Sequence, residues 1–229
     1  DVYDYIFHLA ANPRVTYSIE HPVETTEVNV LKTSALFHAA ALGSVSRVVF
    51  SSSSSVYGNA ESLPTTEKEA LVPESPYALQ KMVGEEYAKL YSKLYGLDIV
   101  CLRYFNVYGP RQYGGSPYST AVSAWCQAVV DKNKLRSDGD GTQIRDLVYV
   151  DDVVQANVLA ATSELKFTGD AYNVGSGSVH TNNEILDKFL ERFENIEVYS
   201  APWRDAVMKT EASIEKIEND LGYSSQYTL

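Results

Sequence analysis

Tyr77 and Lys81 stand four residues apart in the run SPYALQK, 75–81. On a helix that spacing puts both side chains on one face, a single turn apart. A phenol titrates near ~10 in water. A nearby ammonium favours the phenolate, which makes tyrosine usable as a general base at neutral pH. The chain holds 17 tyrosines and 11 lysines, so chance alone supplies about one such pair. The bland alternative is a half-buried helical tyrosine beside a solvated lysine. A second candidate is the serine tract 51–55, followed by Val56, Tyr57 and Gly58. Hydroxyls at the carboxyl end of a strand lie where α/β proteins place ligands. A serine-rich loop without function fits the same letters.

These side chains need strands and helices to carry them. Val2–Ala10 is an aromatic-rich apolar run that reads as a buried strand, and Arg47–Ser52 reads as a second. Between them, Pro22 suits a first helical turn, and Val23–Leu42 has helix-compatible periodicity ended by Gly43. Ser75 as N-cap and Pro76 after it start a helix that runs through Tyr95 and stops at Gly96. Asp98–Asn106 is a third strand, closed by the loop YGPRQYGGSP. Further helices are expected over Tyr118–Asp131, Asp151–Thr162, Asn182–Phe193 and Glu211–Leu221. Short strands are expected around Leu147–Val150, Tyr172–Val174 and Glu197–Ser200. This alternation predicts an α/β fold, a mainly parallel sheet covered by helices on both faces.

Composition narrows the function classes. Of 229 residues, 45% are hydrophobic and 21% charged, which is globular usage. The net charge of −11 argues against a general nucleic-acid binder, which needs basic patches. No apolar run approaches the ~18 residues of a membrane span. Two cysteines, Cys101 and Cys126, are too few for a disulfide scaffold, so a cytoplasmic protein is the default expectation.

Taken in order, FSSSSSVYG, SPYALQK, LRYFNVYGPRQ and GDGTQIRDLVYVDDV resemble the extended short-chain dehydrogenase/reductase family, and within it the UDP-sugar 4-epimerases. The resemblance runs from about Phe7 to Tyr223. It implies a Rossmann-like doubly wound parallel sheet with a smaller C-terminal α/β substrate domain. Residues 1–110 would be a partial NAD-binding domain and 111–229 mainly the nucleotide-sugar domain, with 142–162 returning to the first. By the same resemblance, Tyr77 is the catalytic base, Lys81 lowers its pKa and holds the nicotinamide ribose, and Ser53 binds the sugar 4-hydroxyl. Ala10, Ala11, Asn29, Ser51 and Tyr104 join Tyr77 and Lys81 along NAD. Ser53, Ser54, Asn106, Arg145, Arg204 and Thr210 would line the UDP-sugar. Helices 23–42 and 76–95 would pair two copies into a homodimer, and no metal is implied. Arginines make physical sense here, because a diphosphate approaching an acidic protein needs local, bidentate cations.

The same resemblance separates chemistries. Family dehydratases carry Asp and Glu where this chain has Ser54 and Ser55, and a decarboxylase group keeps the glutamate. A serine cannot supply a carboxylic-acid proton, so 4-epimerisation is expected over elimination. No glycine-rich turn follows an early strand, as though two βα units were cut away. That implies a piece of a longer enzyme or a shortened relative that holds NAD weakly. Ser137 and Asp138 stand where relatives carry apolar residues beside the uracil. Two alternatives stay open: another nucleotide-sugar dehydratase or reductase, and a catalytically idle nucleotide-sugar binder.

Overall fold

The runs VVF and IVCL, fully or almost fully buried, mark the centre of the fold. The computed structural model describes residues 3–116, 119–203 and 207–229. From the amino end come β1 (Tyr5–His8), α1 (Val15–Glu20), α2 (Pro22–Thr26), a π-helical turn (Glu27–Leu31) and α3 (Lys32–Leu42). β2 (Arg47–Ser53) runs into a 3-10 turn (Ser54–Tyr57), followed by α4 (Pro76–Tyr95) and β3 (Ile99–Tyr104). Next come β4 (Asn106–Tyr108), α5 (Ala121–Val130), β5 (Leu135–Asp138), β6 (Ile144–Tyr149) and α6 (Val150–Thr162). The chain continues through β7 (Thr168–Val174), β8 (Val179–Thr181), α7 (Asn182–Arg192), β9 (Val198–Ala201), β10 (Lys209–Thr210) and α8 (Glu215–Leu221).

The main sheet has the order β1-β2-β3-β7, all parallel, with Val49 opposite Val100 and Leu102 opposite Tyr172. Successive residues on a strand face opposite ways, and the two cores obey this. Val48, Phe50, Ile99 and Cys101 pack with Phe37 of α3 and Ala88 of α4. Val49, Val100 and Leu102 pack on the other face with Val153, Ala156 and Ala160 of α6 and Ile217 of α8. Each such side chain contributes about 1.5–3 kcal/mol by leaving water. The fold is therefore the expected α/β arrangement with helices on both faces. A second sheet has the order β10-β6-β4, with β8 antiparallel to β6, and β5 pairs with β9. β6 thus lies in the second sheet, whereas α6 and β7 return to the main one.

Four readings change. The single helix over Val23–Leu42 is α2, a π-helical turn and α3, with α1 ahead of it. The π turn carries Asn29, 2% exposed, whose amide bonds the backbone of Asn12, so a local helical defect serves a tertiary contact. The strand expected to Asn106 breaks at Phe105, whose N–H bonds Val174 O before β4 crosses to β6. Helix α8 starts at Glu215 rather than Glu211, because Thr65 N–H donates to Glu211 O and Ser213 N–H to Thr65 O. The strands β5, β8 and β10 were not anticipated. The helix expected from Tyr118 is described from Ala121, and Tyr118 itself lies outside the described residues.

Helix α4 follows its sequence signals. Ser75 Oγ accepts from Ala78 N–H at 3.1 Å, Pro76 opens the first turn, and Gly96 ends it with φ +69°. Helix α6 ends differently, with no glycine. Arg47, at the start of β2, donates to the carbonyls of Ala160, Ala161, Ser163 and Leu165 while pairing with Asp98 at 2.9 Å. Among the described residues, no helix is long and apolar enough to cross a membrane.

Candidate active site

Tyr77 lies in the first turn of α4, where amides lack intrahelical acceptors. Its N–H donates to Ser18 Oγ of α1 at 3.0 Å. One turn on, Lys81 is 4% exposed, and its Nζ donates to Ser51 O at 2.5 Å, 5.1 Å from the Phe50 ring centre. Burial pulls the Lys81 ammonium down to about 8. The same Nζ is 5.9 Å from the Tyr77 ring centre. Ser53 closes β2, in register with Tyr104 of β3, and near enough to Tyr77 to pull its phenol down against burial. Helix and strand thus bring Ser53, Tyr77 and Lys81 together at the carboxyl edge of the sheet.

The electrostatics differ from the sequence expectation. Burial raises the Tyr77 phenol above its ordinary value, and the groups that counter it are Ser53 and Arg14, not Lys81. The reason is dielectric: Tyr77 and Lys81 are both buried, and burial disfavours the charged form of each. His8, at the end of β1, is likewise held neutral. Burial and the neighbouring Lys81 pull it down to about 4, and its Nε2 meets Thr33 Oγ1 at 2.9 Å.

Beneath the serine tract lies a buried charged network. Arg103 and Glu85, 4% and 0% exposed, meet at 2.6 Å, with a second bond from Arg103 Nε at 2.9 Å. Ser52 Oγ donates to Glu85 at 2.5 Å, and Arg103 Nη1 donates to Tyr57 Oη, which donates to Asn173 Oδ1. The network ties β2 to α4 just below Ser53 and Lys81. Its sequence signals were an arginine inside the apolar strand IVCLRY and a glutamate one turn beyond Lys81.

Around the carboxyl ends, Asn29 Nδ2 bonds Asn12 O and Gln80 Oε1, and its Oδ1 accepts from Asn12 N–H at 2.8 Å. This fixes the backbone just after Ala10 and Ala11, which are exposed and half-buried. Gln80, whose Nε2 also reaches Thr25 and Thr26, went unnoticed in the sequence. Tyr104 directs its hydroxyl into a network with Ser51 Oγ at 3.1 Å and Asn157. Ser54 is half-buried on the 3-10 turn. An NAD ribose fits this geometry. A buried ammonium carries three donors, and among the described residues only Ser51 O accepts from Lys81.

Two residues beyond Tyr104, Asn106 enters the second sheet and helps line a cavity of about 240 Å³ with Arg145, Gln143, Tyr108 and Asn182. Asn106 Nδ2 donates to Asp146 O and to Thr210 Oγ1, both at 2.9 Å. Thr210, expected beside the sugar, is thereby the group that orients Asn106. Arg145 Nη1 donates to the carbonyls of Ile144 and Met208, and desolvation alone lowers it. Among the described residues it forms no ion pair with a carboxylate. Gln143 Oε1 is the buried side-chain atom without a hydrogen-bond partner among the described residues. A half-buried cation and an orphaned acceptor on one cavity call for a ligand that is anionic and carries an N–H or O–H. Arg204 lies outside the described residues.

Comparison with known proteins shows the family and the fold. Residues 1–175 match the pattern of the NAD dependent epimerase/dehydratase family. A putative UDP-glucose 4-epimerase of Methanocaldococcus jannaschii is 36% identical over 229 residues, covering 98% of this chain and 72% of that protein. A UDP-N-acetylglucosamine 4-epimerase from Methanobrevibacter ruminantium, solved with UDP-N-acetylmuramic acid, superposes with a TM-score of 0.91 at 36% identity, covering 97% of this chain and 71% of that one. The dTDP-glucose 4,6-dehydratase DesIV of Streptomyces venezuelae, solved with NAD, gives a TM-score of 0.89 at 31% identity, covering 99% of this chain and 69% of that one.

Proposed function

The chain belongs to the NAD dependent epimerase/dehydratase family, and on that premise we propose that it inverts C4 of a UDP-hexose or UDP-N-acetylhexosamine through a 4-keto sugar. The cofactor is NAD, which when bound accepts and returns a hydride. Lys81 and Ser51, with Ala10, Ala11, Asn29 and Tyr104 around them, would hold it. Tyr77 takes the proton of the sugar 4-hydroxyl, and Ser53 holds that hydroxyl and its proton in line. Lys81 supplies a buried cation where the phenolate forms, although the unliganded phenol stands high. Arg145 faces the diphosphate, Asn106 the sugar side of it, and Gln143 Oε1 accepts a donor from the nucleotide end.

The observation that carries this reading is the buried Lys81, bonded to Ser51 O and 5.9 Å from the Tyr77 ring centre, at the end of the strand that carries Ser53. Hydroxyls rather than carboxyls at Ser54 and Ser55 favour epimerisation over elimination, which needs an acid and a base across C5 and C6. Pairing of two copies through residues 23–42 and 76–95 is part of the same proposal. Leu90, Leu94 and Tyr95 of α4 are each at least 45% exposed.

The test is to incubate the purified chain with NAD and UDP-glucose or UDP-N-acetylglucosamine and follow sugar C4 by proton NMR. The expected product is the C4 epimer, and Tyr77→Phe lowers its rate at least 100-fold. A 4-keto-6-deoxy product instead would make the chain a dehydratase. UDP-sugar binding without turnover would make it a binder.

A further inference from the structure

Successive side chains of β6 face opposite ways across the second sheet. Arg145 and Leu147 line the cavity, so Asp146 between them turns to the other face, where it is fully buried. Uncharged donors converge on this carboxylate. Its Oδ1 accepts from Ser176 N–H and Ser176 Oγ, both at 2.8 Å. Its Oδ2 accepts from Gly177 N–H at 3.3 Å and from Ala212 N–H at 3.1 Å. An ionised carboxyl offers about four acceptor sites, so one side chain of β6 ties down both the turn after β7 and the chain after β10. The approach is close: a Cβ at Gly175 would lie 2.8 Å from Asp146 Oδ2.

The bond to Ala212 matters because of what β10 carries. That strand is two residues long and pairs Thr210 with Arg145. Thr210 Oγ1 and Asp146 O take the two N–H groups of the Asn106 amide. A backbone carbonyl only accepts, so the amide nitrogen stays on that side and Asn106 Oδ1 is left for the cavity. Met208 O, one residue before β10, accepts from Arg145 Nη1 at 3.1 Å. Asn106 and Arg145 are thus both aligned by a strand too short to hold its own place. Thr65 grips Glu211 and Ser213 from the opposite side, and Asp146 is the side chain that joins this segment to β6. We propose that Asp146 is a positioning residue: by holding Ala212 against β6, it keeps Thr210 and Met208 where they align Asn106 and Arg145 for a nucleoside diphosphate. The inference rests on the reading of this cavity as the diphosphate site, and it adds the group that keeps the site in register.

The probe is UDP, its affinity measured by calorimetry on the full chain, with circular dichroism monitoring the fold. Asp146→Ala is expected to weaken UDP about tenfold, the scale of one misplaced contact to a charged group. Thr210→Val keeps the shape, removes the hydroxyl, and is expected to weaken UDP about three- to fivefold. Because Asp146 acts through Thr210, the double variant should bind no more weakly than Asp146→Ala alone. Losses that multiply overturn the inference. An Asp146→Ala affinity equal to wild type, while Arg145→Met abolishes binding, also overturns it and leaves the cavity assignment standing. If the unaltered chain does not bind UDP, or Arg145→Met leaves its affinity unchanged, the functional reading and this inference fall together. If Asp146→Ala does not fold, hydrogen exchange in the unaltered chain decides. Coupling is reciprocal, so bound UDP is expected to slow exchange of the Ala212 N–H. Exchange unmoved while UDP is bound overturns the inference.

Discussion

Replacing Glu85 with Gln tests whether the buried network is what sets α4 against β2. Glu85 is fully buried and accepts from Ser52 Oγ, Arg103 Nε and Arg103 Nη2, the two arginine contacts at 2.9 and 2.6 Å. A glutamine keeps the shape but presents an NH2 where one guanidinium N–H points, and it removes the carboxylate paired with a 4% exposed arginine. Breaking a buried pair from one side costs about 3–5 kcal/mol, because the remaining charge stays desolvated. Domains of this kind have about 5–15 kcal/mol in total, so the variant should lose about a fifth of its stability or more. Urea denaturation followed by circular dichroism measures this. The double variant Glu85→Leu with Arg103→Met should recover most of the loss, since a packed apolar pair needs no solvation of charge. A Glu85→Gln cost below about 1 kcal/mol, or a double variant as costly as both singles together, would refute the reasoning.

Two further predictions concern ionisation and the cavity. Lys81 titrates at about 8 in the fold against an ordinary 10.5. Between those values the unfolded chain binds more protons, so the Lys81 contribution to stability rises with pH through that window. Lys81→Met should therefore be the more stable protein below pH 8, with a gap that narrows toward pH 10; a gap independent of pH in denaturation would contradict the burial argument. Gln143→Leu removes the orphaned acceptor, and should stabilise the chain by about 1 kcal/mol while weakening UDP binding roughly tenfold by calorimetry. Unchanged UDP affinity would place the nucleotide elsewhere.

Much of what positions the site is written locally. Ser75, Pro76 and Gly96 fix the ends of α4, and the four-residue spacing of Tyr77 and Lys81 needs nothing more than a helix between those ends. The apolar runs 48–50 and 99–102 give the central strands. What stays hidden is whatever depends on a distant partner. β10 is two residues long and exists because Lys209 and Thr210 pair with Ile144 and Arg145. The π turn at 27–31 answers to Asn12 and Gln80, which no periodicity encodes. Lys81 beside Tyr77 reads from sequence as an ammonium that lowers a phenol. Only burial of both reveals that desolvation raises the phenol and lowers the ammonium before a ligand enters.

Arg47 shows the same dependence at a helix end. An α-helix leaves its last carbonyls without donors, and glycine is the usual local remedy. Here Ser163 caps α6 with φ −59°, and the donors come from a guanidinium more than 110 residues earlier in the chain. The stop signal for α6 is therefore stored in another strand. A peptide cut to 150–165 would carry the helix but not its terminator, and would fray at that end. In the intact chain, α6 gains its defined end only once β2 has found its place, which couples the crossover into β7 to the assembly of the sheet centre.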